Sequence, residues 1–168
     1  MTNTVEKRIR PFNHPVELGL RCLYILSAAS PQWLDLQRLS YLDYLLVHSG
    51  DVSGGPASLH AAVPNRSGEW LVKRQLLELG LRIMVERELV GIHFTESGIS
   101  YASTELSAPF LSHMRAEYAT ALHERALWLK LTFGAMTMLE LESFMVANLS
   151  KWGSEQKYKS AFEGGSFG

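Results

Sequence analysis

The stretch Arg66–Thr104, RSGEWLVKRQLLELGLRIMVERELVGIHFTESGISYAST, decides how the rest of the chain is read. Its first part, Ser67–Glu88, holds no proline and reads as one long helix. Val72, Leu76, Leu79 and Ile83 recur at 4-3-4 spacing and form one apolar stripe, and Trp70, Leu77, Leu81 and Met84 form a second. The remaining arc carries Arg74, Glu78, Arg82 and Glu86, alternating in sign at i, i+4 so that neighbours can neutralise one another. Gly80 inside the helix costs about 1 kcal/mol relative to alanine, so it marks either a kink or a close approach by another segment. Beyond the helix, residues 89–95 and 99–104 alternate like two strands around Glu96-Ser97-Gly98, a turn of hairpin length. A helix followed by a two-stranded wing is the nucleic-acid-reading half of a winged helix-turn-helix.

The charge pattern argues against sequence reading by this helix. The 168-residue chain carries 16 Lys and Arg against 17 Asp and Glu, a net charge of −1, whereas phosphate contacts demand a basic balance. Glu78 and Glu86 would face phosphates, and the wing tip carries Glu96. The cations that could touch DNA non-specifically are Lys7, Arg8 and Arg10 in the N-terminal arm and Lys73 and Arg74 on the helix. A winged-helix DNA-binding transcriptional regulator is therefore the alternative to a protein-binding module.

Upstream, residues 1–11 read as a flexible arm and 12–104 as the winged-helix domain. A first helix opens at Asn13-His14-Pro15, with Asn13 as cap and Pro15 in the first turn, and ends by Ser30-Pro31. A second is capped by Asp35 and runs to about His48, burying Leu36, Leu39, Leu42, Leu45 and Leu46. Residues 49–66 are an inserted loop of about eighteen residues, too long for a tight helix-turn-helix. Leu59, Ala61, Ala62 and Val63 should pin it, as an ordered loop that contacts something. Downstream, residues 105–152 read as appended C-terminal helices. Glu105–Phe133 is one long amphipathic helix with the stripe Leu111, Met114, Tyr118, Leu122, Ala126, Leu129 and Phe133, ended by Gly134. Thr137 and Glu140 form a capping box that opens a last helix, with the stripe Met138, Leu141, Met145, Leu149 and Trp152. Residues 153–168, rich in glycine and serine, read as a flexible tail.

Catalytic signatures are missing. The glycine-rich segments 49–51 and 53–56 lack the Gly-Lys-Ser/Thr ending of a P-loop, and neither a G-x-S-x-G elbow nor an H-E-x-x-H pair occurs. His48, Asp51 and His60 could in principle hold zinc, but their spacing matches no metal motif. Cys22 is the sole cysteine, which excludes an internal disulfide and a cysteine-rich metal site. No secretory signal and no run of about 18 apolar residues is seen, so a cytoplasmic protein with no membrane span and no cofactor is expected.

Several runs resemble one bacterial family: residues 12–21 (FNHPVELGLR), 34–39 (LDLQRL), 43–51 (DYLLVHSGD), Gly54-Gly55-Pro56 with Ser58-Leu59-His60, and Arg66-Ser67-Gly68-Glu69. These are similar to the middle component, second type, of three-component ABC-ATPase conflict systems, over about Phe12 to Phe133. The resemblance implies a non-enzymatic adaptor encoded between an effector and an SMC- or Rad50-like ATPase, as in Lamassu antiphage complexes. It would bridge ATPase heads and effector, often a nuclease, much as the winged-helix kite proteins serve SMC complexes, and DNA would be touched only through the complex. Within the matched runs, Asp51, His60, Arg66 and Glu69 are the candidates for fastening the long loop or presenting it to a partner.

Overall fold

The structure, a computed structural model, describes residues 14–61 and 66–163, with side chains throughout except in 66–72 and 153–163. Six helices and a small sheet follow one another as α1 (Pro15–Ala29), β1 (Leu34–Asp35), α2 (Leu36–Val47), α3 (Arg66–Glu86), β2 (Val90–Thr95), β3 (Gly98–Ser103), α4 (Ser107–Ser112), α5 (Glu117–Phe133) and α6 (Met138–Glu163). The chain is mainly helical, as the periodicities predict. The described part of α1 is capped by His14, whose ring accepts from the Val16 amide, with Pro15 in the first turn. Asn13, the cap read from the sequence, lies outside the described residues. Asp35 caps α2 by accepting from the Arg38 amide at 2.7 Å. The Thr137–Glu140 box closes reciprocally, the Thr137 amide donating to the Glu140 carboxylate at 2.7 Å and the Glu140 amide to the Thr137 hydroxyl at 3.2 Å.

α1 lies at the centre, with Leu18, Cys22, Leu23 and Leu26 fully buried. It crosses α3 at two glycines. A Cβ placed on Gly19 would lie 2.5 Å from the Gly80 carbonyl oxygen, and one on Gly80 would lie 2.5 Å from the Gly19 nitrogen. Gly80 is thus a close approach between helices, one of the two options its sequence position left open. Of the two α3 stripes, Leu77, Leu81 and Met84 are buried, while Leu76 and Ile83 are half-buried and Leu79 is exposed. The stripe of Leu76, Leu79 and Ile83 lies at the rim, because α1 and α2 cover only one side of α3.

The hairpin is antiparallel, with Thr95 paired to Gly98, Phe94 to Ile99 and Ile92 to Tyr101. A third strand, not foreseen, is the short β1, whose Leu34 pairs with Tyr101 and Asp35 with Ser100, giving the order β1-β3-β2. Glu88 takes the left-handed conformation (φ 62°), which turns the chain sharply from α3 into β2. Hydroxyls brace this corner: Thr104 donates to the Glu88 carbonyl and Ser107 to the Leu89 carbonyl, each at 2.7 Å.

The expected single helix over Glu105–Phe133 is broken in two. α4 ends at Ser112, and α5 begins at Glu117 after an extended Ala116. Neither glycine nor proline marks the break. The Pro109 carbonyl, which a continuing helix would offer to the His113 amide, is engaged by the Ser112 hydroxyl at 2.6 Å and the His113 ring at 2.7 Å. The His113 amide turns instead to Phe110, so local side chains compete with the helical ladder. The helices after the hairpin join the same core as those before it: Leu122, Ala126, Leu129, Phe133, Leu141, Met145 and Trp152 form one cluster with Leu18, Leu45 and Leu81. α6 continues past Gly153, where the sequence reading begins the tail.

Candidate functional site

The polar centre of the molecule is an ion pair that packing has closed off. Arg21 on α1 and Asp43 on α2 are both buried, and the guanidinium grips the carboxylate with two bonds, Nε to Oδ1 at 2.7 Å and Nη2 to Oδ2 at 2.8 Å. Burial opposes the charge on Arg21, but the attraction of Asp43 and its hydrogen bonds outweigh that cost and raise the pKa of the guanidinium. The Tyr118 hydroxyl on α5 joins the same centre through hydrogen bonds with Arg21 and Glu17, and burial raises its pKa. Burial likewise pushes the neighbouring Cys22 thiol up, which keeps it protonated and unreactive.

The long loop is fastened to this centre. His60 places Nε2 3.0 Å from the Tyr118 hydroxyl and stacks on its ring, with centroids 6.4 Å apart. His48, the residue that ends α2, meets His60 edge-on and Tyr44 at 4.8 Å. Asp51 accepts the Tyr44 hydroxyl at 3.1 Å, and Tyr44 in turn stacks on Trp152 of α6. The loop backbone is tied down as well. The amides of Leu59 and His60 both donate to the Val47 carbonyl, and Arg125 of α5 donates twice to the Ala57 carbonyl, at 3.0 and 2.6 Å. Gly55 sits where a side chain would strike the Ser49 carbonyl and Trp128. The described part of the loop is therefore held between α2 and α5 by its own backbone and by a few aromatic and cationic side chains.

Of the residues singled out in the sequence, Asp51 and His60 come together at this fastening. Arg66 and Glu69 fall in the first turn of α3, with side chains outside the described set. Lys7, Arg8 and Arg10 also lie outside the described residues. Lys73 is buried, and Arg74 donates to Gln37 of α2 at 2.8 Å, which is bonded to Tyr41. Lys73 is thus withdrawn from the surface, while Arg74 is half-buried. Among the described residues, no group of three His, Cys, Asp or Glu side chains is placed to hold a metal, and His48, Asp51 and His60 are arranged as a fastening instead. A groove of about 370 Å³ between α1, α4 and α5 is lined by Tyr24, Ser27, Leu111, Met114 and His123 among others, with no carboxylate, lysine or arginine in its wall.

Sequence reasoning missed the Arg21–Asp43 pair. The signal was present: each charge interrupts an otherwise apolar run, Arg21 between Leu20 and Cys22 and Asp43 between Leu42 and Tyr44. Charges in two apolar helical faces are rarely buried unless paired.

The His60 environment has a pH consequence. Burial, then the nearby Arg21 and Lys73, hold its pKa at about 4, below the usual 6.5. An unfolded chain takes up a proton at His60 between these values and the folded chain does not. Stability contributed by neutral His60 is therefore present above pH 6.5 and is lost as the pH falls toward 4. Urea denaturation of the chain and of His60→Asn should show a smaller acid-side loss in the variant; equal slopes would remove His60 as the source.

A family model matches residues 11–155, and the chain belongs to that family: ABC-three component (ABC-3C) system Middle Component 2. No curated protein and no solved structure matches the chain. No helix among the described residues is long and apolar enough to cross a membrane.

Proposed function

We propose that this chain is a non-catalytic adaptor of an SMC- or Rad50-like ATPase defence complex of the Lamassu type, bridging the ATPase heads and an effector, in many such systems a nuclease. Membership of the middle-component family carries the reading. Two features of the molecule support it. The charged pair Arg21–Asp43 and the Asp51 and His60 side chains are spent inward, on the core and the loop fastening. The surface, by contrast, leaves large apolar side chains in water, Leu131 at 86% and Leu139 at 73% exposure. Where such groups gather into a contiguous patch they offer a contact surface. In this reading α2, α3 and the hairpin form a winged helix used for protein contact, with the loop inserted ahead of α3, and Asp51, His60, Arg66 and Glu69 hold or present that loop. Any contact with DNA would be non-specific, made inside the assembled complex through Lys7, Arg8 and Arg10, with the half-buried Arg74.

Co-expression with the ATPase and effector encoded alongside tests the proposal. The three chains should co-elute on size exclusion, and the complex should hydrolyse ATP with this chain adding no turnover of its own. A chain that elutes alone in the presence of both partners would overturn it. Duplex binding by the isolated chain that falls steeply with salt would instead support a DNA-binding regulator.

A further inference from the structure

The hairpin leaves one edge of the sheet open. In the order β1-β3-β2, no described strand pairs with the outer side of β2. Thr95 pairs directly with Gly98 across the two-residue turn, so Thr95, His93 and Gly91 spend their backbone groups on β3. The N–H and C=O of Val90, Ile92 and Phe94 therefore point outward. Natural edge strands are guarded by lysine, proline or a bulge. β2, Val-Gly-Ile-His-Phe-Thr, has none of the three.

The side chains agree with the backbone. Val90, Ile92 and Phe94 share one face with their partners Ile99 and Tyr101. Val90 and Tyr101 are buried at the root, but the apolar stripe runs on past the core, with Phe94 70% exposed and Ile92 and Ile99 also in water. On the opposite face Trp33 lies over the root, 5.3 Å from the His93 ring and against Gly91.

Charge selects the occupant. The edge is bracketed by exposed acids, Glu86 and Glu88 around Arg87 at the root and Glu96 at the tip. Antiparallel pairing with a second copy brings tip against root. In the register that sets Ile92 opposite Ile92, Glu96 faces Glu88 at both ends, and like charges directly opposed destabilise a pair. A strand with basic ends meets the opposite situation.

We infer that the β2 edge, Val90–Thr95, receives by strand addition an extended segment of another polypeptide, one with apolar residues at alternate positions and a lysine or arginine near each end. Backbone bonds to Ile92 and Phe94 supply the pairing, and the Ile92–Phe94–Ile99 stripe selects the alternate apolar side chains. This docking mode does not depend on which component of the system carries the segment.

The test uses the full-length chain and a synthetic seven-residue peptide with lysine at both ends and valine and threonine alternating between them. Saturable binding by fluorescence anisotropy is expected, with amide hydrogen exchange at Ile92 and Phe94 slowing about tenfold or more while Gly91, already bonded to β3, changes little. Methylating the peptide backbone nitrogens that face β2 should abolish binding. Glutamate ends in place of lysine should weaken it about tenfold or more. Phe94→Lys, a surface change that leaves the core intact, should weaken it to a similar degree. Absence of saturation at millimolar peptide would overturn the inference, as would equal affinity for the glutamate-ended peptide. Two results would reassign the edge and equally overturn it. One is a dimer of the free chain that Phe94→Lys dissociates; the other is peptide binding that appears only after residues 1–13 are removed.

Discussion

Replacing Asp43 with alanine should destabilise the fold by about 3–5 kcal/mol, because it leaves the fully buried Arg21 guanidinium without its carboxylate. The cost is that of an uncompensated charge, not the net worth of the pair. Replacing both residues together, Arg21→Met with Asp43→Leu, should therefore recover most of the loss, to within about 1–2 kcal/mol of the parent. Urea unfolding of the parent, the single variants and the double variant measures the coupling directly. Additive single-variant effects would show that the two groups do not act as a unit. The Tyr118 hydroxyl adds a second readout. It is bonded to Arg21 and touches His60, so losing Asp43 should also loosen the loop, seen as faster amide exchange at Leu59 and His60.

The second large effect is expected at the helix crossing. Alanine is a better helix former than glycine by about 1 kcal/mol, so Gly80→Ala in an open helix would stabilise. Here the added methyl would press on the Gly19 backbone and the Pro15 carbonyl, which cannot swing away as a side chain can. The sign should reverse, with a net loss of about 1–3 kcal/mol by chemical denaturation. Gly91→Ala is the matching control. Its added methyl would lie 3.5 Å from the Trp33 ring, an ordinary contact, and it should cost less than Gly80→Ala. An unchanged or raised stability in Gly80→Ala would mean that α1 and α3 can separate without penalty.

Much of this fold could be read from periodicity and caps. Asp35, Pro15, the Thr137–Glu140 box and the alternation on either side of Glu96-Ser97 each act within a few residues, so their effect is written locally. What escaped was set by contacts distant in sequence or by competition inside one turn. β1 is two residues long and exists because Tyr101 and Ser100 offer it an edge. The break at His113 arises where two side chains outbid the ladder for the Pro109 carbonyl, with no glycine or proline to announce it. At the candidate site, the loop's importance was legible from its glycines and histidines. Its attachment was not, since that needs Tyr118 and Arg125, more than fifty residues downstream along the chain. The burial of Lys73 was hidden for the same reason: a helical wheel shows which side a residue takes, but not which sides are covered.

Arg38 clasps the corner from which the longest helix starts. Its guanidinium, anchored on α2, bonds the Phe133 carbonyl at 3.3 Å and the Met136 carbonyl at 2.7 Å, spanning the corner between α5 and α6. α6 has 26 residues and so extends about 39 Å from that corner. With such a lever arm, a tilt of about 10° at the clasp carries the far end through about 7 Å. A small change in how α2 holds two carbonyl oxygens is thus magnified into a displacement as wide as a helix radius and more, at a point far from where the change was made.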